Sequence, residues 1–208
     1  SYFYKRTSNR LERKIDILFM TKKDLRKIFL ERRSGLSNTE KSKLDDLLLI
    51  QFQKLQLPGI HFLFTYYPLA TKHEPETAHI TRYLEFIFPG LQIAIPKIDA
   101  STGRMKAILV DDDTIYTLNP YGIFEPANGS ELNPLMIDCV IVPLLAVDKA
   151  GFRVGFGKGY YDKYLAQCKK DIITIGLNYF EPVEKIEDRN AFDVPLKYCI
   201  TPDKLYEF

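Results

Sequence analysis

The sequence predicts a three-layer α/β/α fold built on a mostly parallel sheet, and three observations lead there. Helix-like and strand-length patterns alternate along the chain. The segment 140–142 is wholly apolar, and 172–177 is a second buried-type strand; both have the mark of strands covered on two faces. Strand, loop, helix and strand follow one another within about forty residues, the length of a parallel crossover unit.

The elements can be justified in order. From Lys22 the chain reads as a helix, with Leu25, Ile28 and Phe29 on one face, ending at Ser34-Gly35, where Gly suits a left-handed residue. Ser37 starts a second helix with Glu40 three residues on, a capping box, and Leu44, Leu47, Leu48 and Phe52 carry it to about residue 55. Residues 60–66 form an apolar, aromatic run of strand length. Pro75 opens a third helix whose buried face is Ile80, Tyr83, Leu84 and Ile87, and Pro89-Gly90 stops it. Strands follow at 92–95, 105–110 and 114–118. The triplet Asp111-Asp112-Asp113 between the last two is read as a solvated hairpin tip rather than a metal site, because turns favour Asp. A glycine-rich loop follows strand 140–142, and a helix over 160–168 follows the loop.

At 208 residues the chain suits one domain, and no apolar run reaches the length of a membrane span. Cys139, Cys168 and Cys199 are odd in number and far apart, which argues against a disulfide framework or zinc site and for a reducing, cytoplasmic setting. The net charge of +2 is concentrated at the start: Lys5, Arg6, Arg10, Arg13 and Lys14 face only Glu12 and Asp16. Residues 20–208 are therefore nearly neutral and have no bulk attraction for nucleic acid or a membrane surface. Residues 1–19 are read as a basic extension before a single domain over 20–208, with Met20 a sensible start. A transit peptide is the less favoured reading, because Ile15, Leu18 and Phe19 spoil its polar character.

The chemistry concentrates in V-P-L-L-A-V-D-K-A-G-F-R-V-G-F-G-K-G-Y-Y-D, residues 142–162. It leaves the carboxyl end of a buried strand and enters a helix, the place where open parallel sheets bind ligands. Gly155, Gly157 and Gly159 let the backbone approach a ligand, the helix start adds partial positive charge, and Arg153 and Lys158 add full charges. Asp162 can hold a hydrated Mg²⁺. Glycine-rich loops are often mere turns, and this one is neither a Walker A loop nor a dinucleotide fingerprint. Yet three glycines, two cations, two tyrosines and an acid in ten residues describe a polyphosphate cradle.

This segment resembles the signature of the 5-formyltetrahydrofolate cyclo-ligase family, P-x-L-A-x-D-x-x-G-x-R-x-G-x-G-x-G-Y-Y-D, from Pro143 to Asp162. The resemblance extends from Met20 to nearly the C-terminus. It implies a Rossmann-like scaffold of the kind also found in sugar-phosphate isomerases and CoA transferases, with ATP as co-substrate and Mg²⁺. ATP is expected on Arg153, Gly155, Phe156, Gly157, Lys158, Gly159, Tyr160 and Tyr161, with Lys158 and Arg153 countering charge at the reacting phosphate. The family's K-x-x-x-R appears as K-K-D-L-R, which assigns Lys22, Lys23 and Arg26 to the phosphates. Glu74, in E-P-E-T, and Leu69 are expected at the folate. Tyr121 and Gly122 open the family-like Y-G-I-F-E-P loop that lines it. Asp162 and Asp193, the latter in A-F-D-V-P where the family more often has His-Asp, are expected to hold Mg²⁺. Pro75 and Leu69 depart from the usual family residues, so the pocket's detailed shape differs.

The implied reaction activates the N5-formyl oxygen of 5-formyltetrahydrofolate with the γ-phosphate of ATP, after which N10 attacks and phosphate leaves. That route needs positioning and charge neutralisation rather than a nucleophilic side chain. A monomer acting on a free or polyglutamylated folate is expected. Two rivals stay open: another phospholigand enzyme on the same scaffold, and a non-catalytic binder of formylfolate.

Overall fold

The computed structural model describes residues 19–99, 101–119 and 122–208; the basic segment 1–18 and Tyr121 lie outside the described residues. A seven-stranded sheet runs in the order Leu205–Glu207, Tyr198–Ile200, Ile173–Leu177, Cys139–Val142, Phe62–Phe64, Gln92–Ile98, Met105–Val110. The five inner strands are parallel, and each edge strand pairs antiparallel. Chain order moves from strand Phe62–Phe64 outward to Gln92–Ile98, then returns to Cys139–Val142 and winds the other way. The two strands that flank this reversal sit side by side, Leu63 opposite Cys139. Loops leaving their carboxyl ends diverge to opposite faces and open a crevice.

Side-chain alternation divides the core. Leu63, Cys139, Ile141, Ile175 and Leu177 face helices α2 (Asn38–Phe52) and α3 (Ala78–Ile87), where Leu48, Phe52, Ile80 and Leu84 complete the layer. Phe64, Val140 and Val142 face the other way, onto Tyr164 and Leu165 of α4 (Tyr160–Leu165). Helix α1 (Lys22–Ser34) lies over the carboxyl ends of the strands: Leu25 and Phe29 are fully buried against Leu145, Ala146, Val154 and Ile186. Burying each such side chain stabilises by roughly 1.5–3 kcal/mol. That burial fixes the polar face of α1 over the crevice.

The Ser37–Glu40 capping box forms as expected. Gly35, however, is right-handed at φ −78, because its N–H bonds Glu31 O at 3.1 Å and the chain tightens directly into α2. Helix α3 begins at Ala78, not Pro75. Thr77 does not cap it, since its hydroxyl donates to Tyr66 O at 2.7 Å, and Tyr83 and Ile87 are less buried than Ile80 and Leu84. The expected hairpin across the Asp triplet does not form: Met105–Val110 pairs with Gln92–Ile98, whereas Tyr116–Leu118 pairs with Phe124–Pro126 as a separate ribbon. The triplet itself is an exposed turn. Among the described residues no helix is long and apolar enough to cross a membrane, and all three cysteines are free thiols.

Candidate active site

A cavity of about 620 Å³ occupies the crevice at the winding reversal. That volume is in the range of small-molecule sites. Its two walls come from different parts of the chain.

The basic wall is the glycine-rich segment. Residues Ala146–Val147 and Arg153–Val154 pair as a short antiparallel ribbon, a feature the sequence did not reveal, and the ribbon projects Gly155–Gly159 over the cavity. Asp148 holds its turn from within: the fully buried carboxylate accepts N–H bonds from Ala150 (3.0 Å), Phe152 (3.1 Å) and Ile186 (3.0 Å), and pairs with Arg189. Gly157 (φ +92) and Gly159 (φ +67) occupy backbone conformations that strain any L side chain. A Cβ on Gly157 would also lie 3.3 Å from the Arg26 guanidinium. Arg26 Nε donates to Gly155 O at 2.9 Å, so α1 braces the loop. Lys22 Nζ meets Asp193 Oδ2 at 2.5 Å, and Arg153 Nη2 meets Asp162 Oδ1 at 2.8 Å. Burial pulls the Arg153 pKa down, against the opposing pull of Asp162 and Asp193. Lys158 is exposed within the lining. Helix α4 has six residues, so its dipole adds little and the side-chain cations carry the charge.

The opposite wall is acidic and apolar. Leu69, Glu74, Ile95, Pro96, Ile123 and Phe124 line it. Glu74 is 3% exposed, and its Oε2 accepts the Leu69 N–H at 2.8 Å. Burial raises the Glu74 pKa, while the Leu69 amide and the Arg33 guanidinium pull it back. His73 precedes it in a left-handed conformation (φ 47), closing the turn Ala70–Lys72 with its N–H on Ala70 O at 3.1 Å. Behind this segment, Asp45 of α2 accepts the Glu76 N–H (3.0 Å) and the Tyr179 hydroxyl (2.6 Å). The Tyr116–Pro126 ribbon closes the rim: Glu125 accepts the Ile98 N–H at 3.1 Å, and the Tyr67 hydroxyl donates to that of Tyr116 at 2.8 Å.

A sequence profile of the 5-formyltetrahydrofolate cyclo-ligase family matches residues 19–202. The chain belongs to that family. It is similar to the 5-formyltetrahydrofolate cyclo-ligases of Mycoplasma genitalium (33% identical, 86% of this chain and 97% of that protein) and Mycoplasma pneumoniae (34%, 88% and 100%). Among solved structures it resembles the 5,10-methenyltetrahydrofolate synthetase of Aquifex aeolicus, with TM-score 0.74 and 28% identity over 90% of this chain and 93% of that one.

The structure gathers nearly all the residues expected from the family motifs. Lys22, Arg26, Leu69, Glu74, Arg153, Gly155, Phe156, Gly157, Lys158, Gly159, Tyr160, Tyr161, Asp162 and Asp193 all line the one cavity. Lys23 is exposed and outside the lining, because it is one step around α1 from Lys22. Gly122 is outside it too, at φ +76 in the turn where its N–H bonds Asn119 O at 3.0 Å. Sequence reasoning passed over Arg33, Tyr66 and Glu125, all buried here. Glu125 lay within the Y-G-I-F-E-P motif, whereas nothing in a run of helix charges marked Arg33.

Two carboxylates, Asp162 and Asp193, line the cavity beside the basic wall, and no group of three potential ligand side chains occurs among the described residues. Asp162 Oδ1 is occupied by Arg153 and the Val194 N–H; Asp193 accepts Lys22 and two donors of Asn190. This donor set suits an ion such as Mg²⁺ that takes one or two carboxylates and draws its other ligands from water and substrate phosphates.

Proposed function

We propose that the chain is an ATP-dependent 5-formyltetrahydrofolate cyclo-ligase that forms 5,10-methenyltetrahydrofolate, ADP and phosphate. One observation carries the reading: a flexible-backbone, basic loop suited to phosphates and a buried carboxylate suited to a pterin edge line one cavity. Neither wall alone needs the other.

Arg153, Lys158, Lys22 and Arg26 bind the triphosphate, and Lys158, having no buried partner, follows the charge that develops on the transferred group. Glu74 accepts N–H bonds from the pterin, which orients the N5-formyl oxygen toward the γ-phosphate. That oxygen displaces ADP and becomes a phosphate ester. N10 then attacks the formyl carbon, phosphate leaves with the formyl oxygen, and N10 gives up its proton. Asp162 and Asp193 hold Mg²⁺, which when bound neutralises phosphate charge. Leu69, Ile95 and Phe124 exclude water that would hydrolyse the activated formyl group. The substrate class extends to polyglutamylated folates, and the protein acts as a monomer in the cytoplasm.

The test is absorbance at the methenyl-folate band, with 5-formyltetrahydrofolate and Mg²⁺, with and without ATP. A rise that requires ATP is expected. Folate binding without any rise would make the chain a non-catalytic binder.

A further inference from the structure

The proposed reaction brings a folate and a triphosphate together, yet the cavity of about 620 Å³ is the size of a single small-molecule site. Part of one ligand must therefore extend beyond it. Folate has such a part: past the pterin and the aminobenzoyl ring it carries a glutamyl group with two carboxylates. The acidic wall cannot take them, because Glu74 repels like charge, and the basic wall is occupied by phosphates.

A second cavity, of about 470 Å³, lies between helix α4 and the turn that joins strand Gln92–Ile98 to strand Met105–Val110. Met105 and Tyr160 line both cavities, so the two adjoin there. Ile95, Pro96 and Ile98 of the apolar wall lead along their strand to the same turn. Charge in this second space is one-sided. Arg104 from the turn and Lys163 from α4 line it and are exposed. Neither side chain has a hydrogen bond or ion pair among the described residues. The acids nearby are already taken: Lys106 Nζ bridges Asp99 and Glu131, each at 3.2 Å. Asp99 Oδ1 also accepts the Ser101 N–H (2.9 Å) and hydroxyl (2.6 Å). Gly103, at φ +64, sets its N–H on Asp99 O at 2.7 Å and so fixes the root of Arg104. Also in the lining is Tyr164, 3% exposed, whose buried hydroxyl has no partner. Two uncommitted cations and an unsatisfied hydroxyl together suit carboxylates.

We infer that this second cavity is the subsite for the glutamyl group of 5-formyltetrahydrofolate, with Arg104 and Lys163 as the partners of its carboxylates. This rests on the folate lying in the first cavity as proposed, yet its test does not require turnover. Calorimetry compares 5-formyltetrahydrofolate with the matching pteroyl methylamide, which keeps the aminobenzoyl carbonyl and lacks both glutamyl carboxylates. The native chain is expected to bind the folate about tenfold more tightly, the combined effect of two accessible charge contacts. Arg104→Gln and Lys163→Gln each weaken folate binding about two- to fivefold, and together about tenfold, while the methylamide binds as before. In steady-state kinetics the double variant raises KM for the folate about tenfold and leaves KM for ATP in place. Equal affinity of the native chain for the two ligands would overturn the inference without any variant. So would equal weakening of both ligands in the double variant, or a loss that follows Lys72→Gln in the first cavity instead. A chain that shows the calorimetric pattern but makes no methenyl-folate would fail the functional proposal and leave the subsite standing. One that makes methenyl-folate with an unmoved folate KM in the double variant would do the reverse.

Discussion

The two walls of the cavity are built on opposite principles. The basic wall, proposed to take the triphosphate, sets the buried Arg153 among the partly accessible Lys22, Arg26 and Lys158, on a glycine-rich backbone braced from outside by α1. The acidic wall, proposed to take the folate, buries one carboxylate and fixes its chain by bonds from behind, through Asp45, Tyr179 and Thr77. A phosphate group offers many acceptors and tolerates adjustable donors. A flat heterocycle demands one orientation, so its partner must be rigid before it arrives. The same contrast tells where substitutions should act on kcat, on KM or on stability.

The largest effect is expected at Lys158. Lys158→Ala should lower kcat by about 10²–10³-fold, the cost of removing one charge donor to the transferred group, with the melting temperature unchanged because the side chain is exposed. Steady-state kinetics and a thermal melt check it; an unchanged kcat breaks the assignment. On the other wall, Glu74→Gln should lower kcat/KM for the folate by about 10–100-fold, as expected for losing hydrogen bonds to a charged acceptor, while KM for ATP stays put. Equal effects on both substrates would erase the distinction between the walls.

Next comes Gly157→Ala, where a Cβ meets the Arg26 guanidinium at 3.3 Å in a left-handed conformation. It should raise KM for ATP about tenfold, consistent with backbone strain of about 1–2 kcal/mol, and spare folate binding measured directly. The pH dependence sharpens the contrast in one direction only. Burial raises the Glu74 pKa, so its carboxylate is present above that value and lost as pH falls through it. Folate affinity should therefore weaken on acidification before nucleotide affinity does, as titration calorimetry with each ligand would show. The smallest effect belongs to Tyr116→Phe, which removes the bond to Tyr67. A change in stability of at most about 1 kcal/mol is expected from so exposed a pair.

These walls were also unequally legible. The phosphate wall was readable because glycines, cations and acid stand together in twenty residues, and short-range spacing dictates a loop. The parallel sheet was readable from the apolar 140–142 run, which the structure extends to Cys139–Val142. What escaped was non-local. The ribbon Tyr116–Leu118 with Phe124–Pro126 depends on a turn that joins different sheets, and short strands with exposed side chains give no periodic signal. Arg33 was passed over because burial of a helix end by a distant segment leaves no trace in helical spacing. Pro75 marked a helix start on local grounds, yet bonds to Asp45 and Tyr66 hold 74–77 outside the helix. Gly176 shows the same limit: in strand Ile173–Leu177 it reads as a weakness, whereas a Cβ there would strike Leu144 at 2.3 Å.

The joining of the two walls in one reaction is tested most directly by oxygen labelling. 5-Formyltetrahydrofolate carrying ¹⁸O in its formyl group is turned over with ATP and Mg²⁺, and the released phosphate is analysed by mass. Transfer across the cavity from the phosphate loop to a folate held by Glu74 predicts one ¹⁸O atom in each phosphate released. Unlabelled phosphate alongside methenyl-folate would mean that the formyl oxygen never reaches the γ-phosphate, and would contradict the account.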